Sequence, residues 1–217
     1  MDRRSLLGTM VAVGTIGVTG CTTIEASGPT DTTSSPSATP YPEGEQRRVS
    51  LASQDTVPDE HQVRINVEVV EPVITHQHTA RLRITTINEG PRRGISINKP
   101  GCHLLDRHKA GSDPPGLWLY TPGDIPERAG NRWIPDLPSD DSRGFGDYGC
   151  RFRTYDTGDS FQNEYLLWDD HHQDGYLEPG TYRWEEPEVE IQELPNNSDS
   201  EILGTFSWGF SLTLESL

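Results

Sequence analysis

The chain of 217 residues has little lysine, cysteine or methionine. Lys99 and Lys109 are its only lysines, so arginine supplies nearly all of its 18 basic side chains. Against these stand 34 acidic residues, and the formal net charge is −16. A field of that sign repels nucleic acid and anionic lipid head groups. The two methionines, Met1 and Met10, both lie near the N-terminus, so the body has no thioether for the axial position of a blue-copper site. The sequence contains no G-x-S-x-G elbow, no H-E-x-x-H pair and no glycine-rich phosphate loop. It therefore offers no recognisable catalytic constellation, and the expectation is a protein that is not an enzyme and carries no cofactor. Carboxylates are abundant enough that only geometry could single out a glycosidase-like pair.

What is present begins at the N-terminus. Arg3-Arg4 precedes an uncharged run from Ser5 to Gly20, which ends in Val18-Thr19-Gly20-Cys21. A positive start, an apolar segment and small residues before a cleavage point make a signal peptide. The run is about 16 residues and holds four glycines, short of the ~20 apolar residues of a stable membrane span. Adjacent arginines point to the twin-arginine route. Val18-Thr19-Gly20-Cys21 looks like a lipobox, whose cysteine becomes the lipidated N-terminus; the alternative is an ordinary signal peptide cut elsewhere, with Cys21 unmodified. With its many carboxylates and few lysines, the chain resembles a haloarchaeal-type twin-arginine lipoprotein. That resemblance implies a lipid anchor on the extracytoplasmic face of the cell membrane and an acidic surface adapted to salt. Calcium dependence or a cationic partner is the rival explanation of the acidity.

Three segments follow from this reading. Residues 1–20 are a signal peptide. Residues 21–55 are the lipidated Cys21 and a disordered tether, because the stretch Thr30–Pro40 is Ser/Thr/Pro-rich and has almost nothing to bury. Residues 56–217 are one domain of ordinary length. Val63–Val69 and Ala80–Ile87 alternate apolar and polar residues with period two, as half-buried strands do. Ile95–Ile97, a segment near 116–120, Arg151–Tyr155, Ser160–Asp169, Thr181–Leu194 and Glu201–Glu215 complete seven to nine strands. No amphipathic helix is evident, so the expected fold is all-β, an Ig-like antiparallel β-sandwich.

The Pro/Gly-rich excursion from Pro100 to Cys150 is the exception to that regularity. Cys102 and Cys150 are the two cysteines left after Cys21. In an oxidising compartment they form one disulfide most simply, closing a loop of about 49 residues with a stabilisation of about 4 kcal/mol. A Cys/His metal site with His103 and His108 is the alternative, weakened by the absence of a CxxC pair. Trp118, Tyr120, Trp133, Phe145 and Tyr148 either line a binding surface or plug the ends of the sandwich. Asn196-Asn197-Ser198 makes Asn196 a possible glycosylation site in an exposed turn.

The stretch from Tyr165 to Tyr182 reads YLLWDDHHQDGYLEPGTY. Its Trp-Asp, Asp-Gly and Pro-Gly-Thr-Tyr pattern resembles a hairpin in Ig-like domains of the intracellular proteinase inhibitor family of bacilli and of flagellar hook-capping proteins. The resemblance implies a hairpin with a tight turn at Pro179-Gly180; it implies no inhibitor activity, since no inhibitory loop can be matched. Asp169–Asp174 is the densest set of potential metal ligands, but it lacks calcium-loop spacing and is expected to be a solvated turn, with no metal. His76-Gln77-His78 would put two imidazoles on one face of a strand. The functional expectation is a non-enzymatic binding or structural module whose partner is a surface protein or glycan. Capture of a solute or metal is the alternative, and surface glycan hydrolysis a further one. Reduction of the membrane-extracted chain is expected to raise its intact mass by about 2 Da, one hydrogen per sulfur; no gain would reopen the metal alternative at Cys102 and Cys150.

Overall fold

The computed structural model describes residues 46–97, 104–105, 109–138, 152–194 and 201–217. Arg3, Arg4, Cys21, Cys102, Cys150 and Asn196 lie outside them, as do His103, His108, Phe145 and Tyr148. Ten strands run in order: β1 (Arg47–Gln54), β2 (Val63–Glu71), β3 (Val73–Ile74), β4 (Arg81–Asn88), β5 (Arg93–Ile95), β6 (Leu117–Tyr120), β7 (Arg153–Tyr155), β8 (Ser160–Asp169), β9 (Gly180–Gln192) and β10 (Ile202–Ser216). One sheet has the order β3-β1-β10-β9-β5-β7 and the other β2-β4-β8-β6, with every pairing antiparallel. The all-β antiparallel sandwich expected from the sequence is thus the observed architecture.

Connectivity is the unusual part. Among the described strands, each step from β1 to β9 moves the chain to the opposite sheet, and only β9 and β10 are consecutive neighbours in one sheet. Period-two alternation explains why both sheets face inward. Val63, Ile65 and Val67 of β2, Leu82 and Ile84 of β4, and Tyr165 and Leu167 of β8 are buried from one side. Trp184 of β9 and Trp208, Phe210, Leu212 and Leu214 of β10 meet them from the other. Pro187 lies inside β9, where a ladder would be short of an N–H. It falls at a bulge: Trp208 pairs with Glu186 while Phe206 pairs with Val189. The buried positions accordingly shift from Tyr182, Trp184 and Glu186 to Val189 and Ile191. The bulge keeps both halves of the strand facing the core.

The domain begins earlier than expected. β1 lies within the segment assigned to a disordered tether, yet it sits inside the larger sheet between β3 and β10. Its sequence, RRVSLASQ, has only Val49 as a buried apolar anchor, so its alternation is faint. The neighbouring strands supply what its own side chains do not: β1 pairs from Arg47 to Gln54 along β10. Gln54 then reaches across to the edge of the smaller sheet. Its side-chain oxygen accepts the Val67 N–H at 2.9 Å and its amide donates to the Ile65 carbonyl at 3.5 Å. This occupies part of an edge that would otherwise present unpaired backbone groups.

Outward faces of the smaller sheet carry cross-strand ion pairs. Arg83 lies 3.3 Å from Glu68 and 3.0 Å from Glu164, and Arg81 pairs with Glu71. Exposed pairs of this kind contribute little individually. A stronger polar tie is internal. Asn88, fully buried at the end of β4, donates to the carbonyls of Pro91 (2.9 Å), Asp156 (3.2 Å) and Tyr155 (3.3 Å). Its oxygen accepts from Gly90 N–H and from Arg93 Nε at 2.8 Å. Arg93 in turn donates to the Gln62 carbonyl at 2.7 Å. Asn88 therefore joins the last residue of β4 to β5 and β7 in the opposite sheet. Asn88→Ala is expected to lower unfolding free energy by about 2–4 kcal/mol, since several buried groups lose partners together; a urea midpoint unchanged from the parent would show that these bonds are dispensable.

Candidate functional site

Polar, aromatic and imidazole groups converge where β8 ends. Positions 163, 165, 167 and 169 share the core-facing phase of β8, so the strand carries a carboxylate, Asp169, inward at its last position. Asp169 is 4 % exposed, Asp170 6 % and His171 7 %. The expected solvated turn at Asp169–Asp174 is thus corrected for its first three residues, which are buried. His172, Gln173 and Asp174 are exposed.

Backbone bonds clamp this point from two sides. Asp169 N–H donates to the Trp133 carbonyl at 2.8 Å, and Asp170 N–H donates to the Gly116 carbonyl at 3.0 Å. The Asp169 carboxylate accepts the Leu177 N–H at 2.7 Å, and the Leu177 carbonyl accepts from Arg47 Nε at 2.8 Å. The loop between them turns through Gly175 at φ 105° and Leu177 at φ 46°. A side chain on Gly175 would meet Glu178 at 2.9 Å, so glycine suits that position both conformationally and sterically.

The hairpin implied by the Ig-like resemblance does not form. β8 belongs to the smaller sheet and β9 to the larger, so residues 170–179 cross between sheets. Nor does the turn fall at Pro179-Gly180, since Gly180 already belongs to β9. The sequence pattern marks strand ends correctly but does not specify which sheet each strand joins.

An aromatic cap covers the opposite side of β8. Trp168 is fully buried, with Tyr120 at 5.3 Å and Trp133 at 5.4 Å, both edge-on. Trp133 is held by its own hydrogen bonds: its backbone N–H to the Tyr176 hydroxyl at 3.1 Å, and its Nε1–H to the Thr75 carbonyl at 2.6 Å. Arg128 lies 4.2 Å over the Trp133 ring and Arg132 lies 4.6 Å over Tyr176. These are cation–π distances. Trp133 and Tyr120 therefore seal the sheet here, while the guanidinium groups form the outer layer. Arg128, Arg132 and Tyr176 were not evident from sequence, because nothing local says that loop 121–138 folds onto β8.

Described parts of the excursion are pinned to the core in the same manner. Trp184 Nε1 donates to the Ala110 carbonyl at 2.9 Å, and Tyr165 donates to the Leu104 carbonyl. Buried Glu186 accepts the Leu105 N–H at 3.1 Å and pairs with Lys109. His76 and His78 are exposed and lie on a turn rather than on a strand face; Thr75 Oγ1 accepts the N–H of Gln77 and of His78.

One group among the described residues brings three metal-capable side chains together: Asp170, His171 and His172, with one donor atom from each within 4.8 Å of the others. Asp170 Oδ1 lies 2.7 Å from His172 Nδ1 and 4.0 Å from His171 Nδ1. The two imidazole rings are 3.9 Å apart and tilted by 41°. No family model, curated protein or solved structure matches the chain.

The neighbouring Asp169 has a distinct electrostatic state. Burial pushes its carboxyl up to about 7; Asp170 and Glu178 add to the rise, while the Leu177 amide and Arg132 oppose it. The folded carboxyl holds its proton more tightly than an unfolded one, which titrates near 4. Its ionisation therefore withdraws stability as pH rises from about 4 through about 7. Asp169→Asn keeps an acceptor for Leu177 and has no charge to bury, whereas Asp169→Ala leaves that amide unpaired. At pH 8, with chelator present, Asp169→Asn is expected to match or exceed the parent in urea stability and Asp169→Ala to lose about 1–3 kcal/mol. Equal loss in both variants would show that the contact with Leu177 is not what position 169 contributes.

Proposed function

We propose that this chain is a lipid-anchored extracytoplasmic binding module of the cell surface, non-enzymatic and without nucleic-acid partners. The observation that carries the reading is the leader, Arg3-Arg4 with an apolar run ending at Cys21. An export signal places the body outside the cytoplasm, and lipid on Cys21 holds it at the membrane. The β-sandwich body supports this reading without naming a partner, because sandwiches host many unrelated functions. The arginine and aromatic layer formed by Arg128, Arg132, Trp133 and Tyr176 offers the kind of groups that recognise a surface protein or glycan. The acidic balance of the chain fits a protein that works in salt and stays clear of nucleic acid.

A second reading, capture of a metal or small solute, is favoured by the Asp170, His171 and His172 group. It is compatible with the first, since a tethered module can hold its ligand at the same surface.

Cys21→Ser is expected to move the protein from the membrane fraction to the soluble extracytoplasmic fraction, with its folded body intact. Arg3→Lys with Arg4→Lys is expected to keep it inside the cell. Fractionation with intact-mass measurement reads both results. Membrane retention of the Cys21→Ser variant, or an unmodified Cys21 in the parent, would overturn the anchored reading.

A further inference from the structure

We propose that Asp170, His171 and His172 form a binding site for a divalent first-row transition-metal ion. The proposal rests on the binding-module reading and names a ligand class for it.

The donor set decides the class. Two imidazoles and one carboxylate suit zinc, copper, nickel or cobalt, whereas calcium and magnesium take oxygen ligands. The spacing fits without a change of fold. Metal–nitrogen and metal–oxygen bonds of about 2.0–2.2 Å set tetrahedral donor pairs about 3.4 Å apart. The separations from Asp170 Oδ1 to the two Nδ1 atoms, 2.7 and 4.0 Å, lie on either side of that value. Small side-chain rotations would bring both into range around one ion, which would then take the place of the hydrogen bond between Asp170 and His172.

The site is also built on fixed backbone. Asp170 N–H is bonded to Gly116, Gln173 N–H closes the turn onto the Asp170 carbonyl at 2.9 Å, and His172 N–H donates to Asp170 Oδ1 at 3.2 Å. The buried pair Asp170 and His171 forms the floor, and His172, about one-third exposed, forms the rim. Three protein donors from one turn leave coordination positions open toward solvent. That is the arrangement of a site that exchanges its metal or presents it to a further ligand, in contrast to a closed four-ligand structural site.

Untagged full-length chain, extracted in detergent and stripped with EDTA, should be titrated with zinc chloride against a chromogenic zinc chelator. The expected result is one ion per chain and a rise in melting temperature on zinc addition. His172→Ala, at an exposed position, should fold normally and bind zinc about tenfold or more weakly. His76→Ala with His78→Ala should leave binding unchanged. No zinc bound above background, or binding insensitive to His172→Ala, would overturn the proposal, as would loss of binding in the His76/His78 variant. Calcium competing for the same position at equal concentration would overturn the transition-metal class. Since membrane attachment through Cys21 is read by fractionation, failure of zinc binding and failure of the anchored-module reading give different results.

Discussion

Everything around the β8 end depends on a buried carboxylate meeting a backbone amide. When the chain leaves one sheet for the other between Asp169 and Gly180, its backbone groups lose their ladder partners in the interior. An unpaired buried amide costs about 1–3 kcal/mol. Asp169 meets that need for Leu177 with its own side chain, and Leu177 then offers its carbonyl to Arg47 at the start of β1. One contact thus fixes the crossing loop and ties it to the first strand of the larger sheet. The consequence is a carboxylate held in a place that resists its charge, beside a second buried acid, Asp170, which meets His172.

The sheet-alternating path makes such contacts necessary in several places. A sandwich built from hairpins satisfies most of its backbone within ladders. Here the chain crosses repeatedly, and side chains complete the bonds at the crossings. Asn88 does so where β4 gives way to β5, and Gln54 does so between β1 and β2. Glu186, Trp184 and Tyr165 do the same for the described parts of the excursion. Asn88 and Glu186 are polar residues at positions where alternation calls for an apolar one, Trp184 and Tyr165 are core aromatics that bond through their polar tips, and Gln54 is an exposed residue at the end of β1. They are specific ties between layers, and the apolar faces of β2, β4, β9 and β10 supply the non-directional part of the stability.

The strands were legible where period two was strong. β2, β4 and β10 alternate cleanly, and their expected bounds, like those of β8, agree with the observed ones within two residues. β1 was missed because Val49 is its one buried apolar anchor and two arginines open it. β3, two residues long, has no pattern to read. The turn-rich sequence from Tyr165 to Tyr182 correctly marked where strands stop and start, but a turn signal carries no information about the sheet in which the next strand pairs. For the site, alternation along β8 did contain the decisive clue. It places Asp169 on the buried face, and a carboxylate there needs a partner. What could not be read was the covering: Trp133 packs on Trp168 from 35 positions earlier in the chain, and Arg128 and Arg132 lie over Trp133 and Tyr176, a juxtaposition that only the folded structure creates.

In a protein with 34 acidic residues, carboxylates alone cannot define a selective cation site, since hard cations would compete at every cluster of oxygens. Imidazole changes the selectivity, because nitrogen donors favour the later first-row metals over sodium, potassium and magnesium. Burial of Asp170 and His171 adds to that distinction. A weakly held ion does not compensate for removing charge from water, whereas a short bond to a neutral imidazole and a carboxylate can. The exposed acids would then raise the local concentration of cations near the surface, and the turn that, among the described residues, combines burial with two imidazoles would choose among them.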